Sequence, residues 1–168
     1  MDESSSQPPR FLPSPETVLL VHLAVTAFMT GLIWYVQVVH YPLMAGWPHD
    51  DFGRWEVSHR DLTAAVVIPG MMLEGVTATW LVIRPPKGVA PWLLVAGAAA
   101  LLGIWASTFL LQLPAHGMLT LGWDEGVHAR LVATNWIRTA LWTARLVLVG
   151  IAVHALLEDD APSAERRR

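Results

Sequence analysis

The stretch that decides the fold reads Arg130-Leu-Val-Ala-Thr-Asn-Trp-Ile-Arg-Thr-Ala-Leu-Trp-Thr-Ala-Arg-Leu-Val-Leu-Val-Gly-Ile-Ala-Val-His-Ala-Leu-Leu157. After Arg130 it is apolar for longer than the ~20 residues a helix needs to cross a hydrocarbon core. Yet it carries Arg138 and Arg145, with Asn135 three residues before the first. A cation near the centre of a membrane helix costs at least ~2.5–3.5 kcal/mol, so it faces protein or water and has a partner. This run is therefore a membrane span with a polar interior face.

The rest of the chain agrees. Of its 168 residues 54% are hydrophobic and 15% charged, against about 25% charged in a soluble domain. Mean hydropathy is +0.43. A soluble protein of this size could not cover that much apolar surface, so the lipid bilayer is its solvent. The net charge of −3 gives no footing for nucleic-acid binding. The absence of cysteine removes disulfides, thiolate metal sites and a cysteine nucleophile, leaving His, Asp and Glu as metal ligands.

Four apolar stretches stand out: about 17–39, 62–83, 90–113 and 131–157. Helices are expected, because an unpaired strand would leave backbone groups unsatisfied in lipid. The expected fold is thus an all-α, integral membrane four-helix bundle over 17–157. Residues 1–16, rich in Ser and Pro, read as a disordered tail, and 158–168 as a charged tail. No cleavable signal peptide is evident, so the first span is expected to act as an uncleaved anchor. The Arg84-Pro-Pro-Lys-Gly88 turn makes the second and third spans antiparallel neighbours. No convincing internal repeat is found.

Positive charge sets an orientation. Arg10, Arg84, Lys87 and Arg166 to Arg168 lie with the termini; Arg54, Arg60 and Arg130 lie on the other side. Six against three places both termini in the cytoplasm of an inner (plasma) membrane protein. Trp47, Trp55 and Trp123 read as interfacial rings, and Trp34, Trp105, Trp136 and Trp142 as packing between helices.

All four spans bring polar groups to the outer leaflet: Gln37 and His40; His59; Gln112 and His116; Asn135 and Arg138. Convergence on one outward-facing pocket is the expectation. Gln37, Gln112, Asn135 and Arg138 are its ligand-binding candidates, for a small anionic or phenolic ligand. His40 and His116 are the catalytic candidates. Deeper in the membrane, Glu74 is the natural partner of Arg145 or Arg138, since each charge alone is costly. The competing reading makes all these groups structural glue.

Metal is a second candidate chemistry, with His40, His59 and His116 as ligands. Two Glu-x-x-His pairs, Glu56/His59 and Glu125/His128, each put Glu and His on one face if helical. A di-iron bundle needs further glutamates that the first and third spans lack. A bis-imidazole haem on His40 and His116 is another arrangement. His49 and His128 read as solvated, and His22 and His154 as incidental. Gly-x-Ser-x-Gly and glycine-rich phosphate loops are absent. The Ala96-Gly97-Ala98-Ala99-Ala100 strip with Gly103 permits close packing within the chain or in a homo-oligomer.

Gln37-Val-Val-His40-Tyr-Pro42, Pro69 to Glu74, Gln112-Leu-Pro-Ala-His116 and Thr134-Asn-Trp-Ile-Arg138-Thr resemble an uncharacterised family of bacterial four-helix integral membrane proteins. More loosely, the four-span plan and Asn135-x-x-Arg138 are similar to the anthrone oxygenase-like membrane family. That likeness implies oxidation of phenolic polycyclic substrates by molecular oxygen, with Asn135 and Arg138 as the matched positions. Two functions are therefore expected to compete: a small-molecule or cofactor-binding redox protein, and a non-enzymatic membrane module that binds lipid or a partner protein.

Overall fold

The computed structural model describes residues 12–165, with side chains to residue 158. Most of the expected N-terminal tail, with Arg10, and Arg166 to Arg168 lie outside the described residues. Four long helices run up and down: α1 Pro15–Met44, α2 His49–Ile83, α3 Pro91–Leu119 and α4 Glu125–Glu165. No strand occurs among the described residues. Each helix is long and apolar enough to cross a bilayer, and the protein is a multi-pass membrane helical bundle.

Local chemistry sets the ends. Ser14 accepts a hydrogen bond from the Thr17 backbone N–H at 3.2 Å, and Pro15 follows with no N–H to satisfy. Asp124 caps α4 by accepting from Val127 N at 2.8 Å. Gly88 takes a φ of 77° in the tight turn between α2 and α3, a conformation costly for any other residue.

The helices outrun the apolar stretches at the outer end of the bundle, meaning the end away from the chain termini. α2 begins thirteen residues before Leu62, and α4 six before Leu131. Residues that read as connections in the sequence therefore sit on ordered helix faces. α1 and α3 each contain one π-turn, Val36–His40 and Thr108–Gln112. Each ends two residues before a proline, Pro42 or Pro114. Proline removes an N–H and crowds the carbonyl of the preceding turn, so the helix widens just ahead of it. Each widened turn carries a glutamine, Gln37 or Gln112.

The interior is layered. Near the termini, Leu19, Leu81, Leu93 and Ala152 form one apolar layer; Met29, Ile33, Ile104 and Trp142 form the middle; Tyr41, Phe52, Leu119 and Leu131 form the outer one. Two polar layers lie between them. α4 packs closest on α3 and α1, and the seam between α2 and α3 is looser. Gly103 lies against Leu141, so part of the small-residue strip serves α3–α4 packing within the chain.

Candidate functional site

The inner polar layer is closed. Arg145 Nη1 lies 2.5 Å from Glu74 Oε1, and both residues are fully buried. Thr26 donates to the same oxygen at 3.1 Å, and the Trp142 indole donates to Glu74 Oε2 at 2.9 Å. Arg145 Nε donates to the Gly97 carbonyl, and Nη2 to His22 Nε2 at 3.3 Å. An arginine only donates. His22 therefore accepts at Nε2 and turns Nδ1–H to Thr77 Oγ1, 2.7 Å away. His22, which reads as incidental in the sequence, is thus a buried member of this layer. His154 is exposed beside Glu158.

Arg138 does not reach Glu74. Its Nε and Nη2 donate to Asn135 Oδ1 at 2.8 and 2.5 Å. Asn135 Nδ2 in turn donates to Gln37 Oε1 at 2.6 Å, and Gln37 Nε2 to the Val132 carbonyl. Gln37 and Asn135, expected as ligand contacts, are engaged with each other and tie α1 to α4. They orient Arg138 instead of lining a pocket. Among the described residues no carboxylate pairs with Arg138, although it is 8% exposed. Gln112 donates to Thr134 at 2.9 Å, and its Oε1 has no partner.

Above Arg138 lies a cluster built by the outer helix ends. Glu56 and His59, one turn apart on α2, face His116 on α3. Glu56 is fully buried, with Oε1 2.5 Å from His116 Nδ1 and Oε2 unpartnered. His116 Nε2 is 3.3 Å from the Tyr41 hydroxyl. His40 stacks on His59 with ring centroids 4.4 Å apart, and His59 tilts against His116 at 5.5 Å.

This placement revises several expectations. One ligating atom each from Glu56, His59 and His116 lies within 4.8 Å of the others; His40 is not in that set. Glu56 takes the place the sequence reading gave to His40, which backs the His59 ring instead. Contact of His59 with both His40 and His116 fills the space a haem between those two would need. The second pair does not join: Glu125 is exposed, while His128 is buried and bonds the Tyr41 carbonyl at 3.1 Å. His128 is therefore structural, not solvated. His49 is exposed and stacks on Trp123.

Below the cluster opens a cavity of about 430 Å³ between α1, α2 and α3. Its walls are mostly apolar, with Met29, Ile33, Val67 and Trp105 among them. His59, His116, Tyr41, Gln112 and Arg138 supply its buried or half-buried polar lining with Thr63 and Thr108, and the exposed Arg60 and Asp61 also border it. Ile68, Met72 and Phe109 at its edge are exposed on the lipid-facing surface. The site thus accepts an apolar body and offers imidazoles and a guanidinium to its head.

Comparison with protein-family models, curated proteins and solved structures brings no match.

Proposed function

We propose that this protein takes a small, mainly apolar molecule with a phenolic or anionic head from the bilayer and acts on it in a redox, oxygenase-like reaction. The cavity carries this reading. Its volume falls in the range of small-molecule sites, and a mostly apolar lining is joined by His59, His116, Gln112 and Arg138. Arg138, buried without a carboxylate, supplies the charge for an anionic oxygen. His116, oriented by Glu56, supplies a base or ligand beside it. The weak likeness of Asn135-x-x-Arg138 to anthrone oxygenase-like proteins points the same way. The charge bias favours an inner-membrane protein of bacterial type with cytoplasmic termini. The cavity then belongs to the outward half.

The exposed edge residues support a second reading, in which a lipid chain occupies the cavity and the protein is a non-enzymatic module.

Solvent extraction and mass spectrometry of detergent-purified protein separate the two. The expected result is a bound phenol or apolar acid, depleted in Arg138→Gln and lost in Ala64→Trp, which fills the cavity. Phospholipid alone, in amounts that Ala64→Trp reduces, would favour the module. Oxygen uptake with a phenolic polycycle tests the chemistry.

A further inference from the structure

We infer that Glu56, His59 and His116 form the ligand set of a first-row divalent transition-metal ion beside the cavity. Three observations converge. The three ligating atoms already lie within 4.8 Å of one another, from two helices. Around an ion with ligand distances of about 2.1 Å they would stand roughly 3–3.4 Å apart, within reach of small rotations of the Glu and His side chains. Next, Glu56 is fully buried yet leaves Oε2 without a partner. A buried carboxylate with unused acceptor capacity is costly unless something positive completes it. Finally, each histidine has the supporting bond expected of a metal ligand. His59 Nδ1 is 3.1 Å from Thr63 Oγ1, leaving Nε2 for the ion. His116 Nε2 is 3.3 Å from the Tyr41 hydroxyl, while Nδ1 faces Glu56 Oε1 at 2.5 Å, so an ion would replace the proton those two ligands now share. Such outer bonds fix the tautomer and aim the ring.

Two imidazoles and one carboxylate, with no thiolate, suit iron(II), zinc and their neighbours, and leave positions open for water or ligand. His59 and His116 also line the cavity, so an ion there borders it. The ion names the reactive centre of the proposed site; its role in chemistry rests on that reading, but its binding does not.

The test uses the full chain in detergent, stripped with a chelator and titrated separately with Zn(II), Co(II) and, without oxygen, Fe(II). The expected result is one ion per chain. X-ray absorption of the wild-type complex should show only nitrogen and oxygen ligands at ~2.0–2.2 Å, with the scattering of two imidazoles. Glu56→Gln and the half-buried, more readily tolerated His59→Ala should each weaken binding ~10-fold or more. Glu125→Gln, in the other Glu-x-x-His pair, should bind as wild type. Folded wild-type protein that holds no stoichiometric ion overturns the inference, as does affinity unchanged in both cluster variants. Uptake of a fluorescent naphthol by the same samples reads the cavity separately. Uptake without any metal binding sinks the ion alone; metal without uptake sinks the ligand reading alone.

Discussion

The two polar layers contain similar groups and differ in what is left over. In the inner layer Glu74 receives Arg145, Thr26 and Trp142, while His22 bridges Arg145 to Thr77. None of these side chains has an unpartnered buried atom. In the outer layer Glu56 Oε2, His40 Nε2 and Gln112 Oε1 are buried without partners, and a cavity adjoins. A buried charge in a membrane protein is thus no mark of function by itself. Saturated, it holds helices in register; left incomplete beside open space, it has capacity for something else.

The largest expected effect lies in the closed layer. Arg145→Leu strands Glu74 and should lower stability by about 3–5 kcal/mol, while Glu74→Leu with Arg145→Leu should recover much of that loss. Denaturant unfolding in mixed micelles reads both. A single variant as stable as wild type would remove the inner layer from its structural role. An intermediate effect is expected at the outer helix ends. At Gly53 an added Cβ would stand 2.5 Å from the Thr120 backbone oxygen, where α2 meets the end of α3. Gly53→Ala should therefore cost about 1–3 kcal/mol and loosen the outer cluster. Its naphthol uptake should fall, whereas a fully stable variant with normal uptake would show that this contact does not hold the site. Smallest should be Glu56→Gln. It keeps the shape and one hydrogen bond, so its stability should change by only about 1 kcal/mol while metal binding weakens ~10-fold or more. A destabilisation as large as that of Arg145→Leu would erase the contrast between the layers.

The layers also differ in how legible they were. Glu74 and Arg145 lie deep in apolar runs, and mutual need alone suggests their pairing. His22 gave no such signal, because a lone histidine near a span end is common. Its role depends on Thr77 of another helix. Glu56 reads as half of a Glu-x-x-His pair, but in a stretch with the composition of a connection, where glutamates are ordinary. The available signal was the helical spacing of Phe52, Glu56 and His59, which continues α2 beyond its apolar run. Gln37 and Asn135 read as interior polar groups, yet whether they face a ligand or each other depends on helix rotation.

Hydropathy alone determined that this chain is a four-helix membrane bundle, because lipid permits few ways to satisfy a backbone across apolar runs of that length. It also determined that the interior carries charge, since Arg138, Arg145 and Glu74 interrupt those runs. Only the tertiary structure decided which polar groups meet. That choice depends on the rotation and register of each helix, set by packing against its neighbours and by the π-turns before Pro42 and Pro114. It gave Arg145 to Glu74, left Arg138 facing a cavity, and brought Glu56 in from the helix end to the histidines.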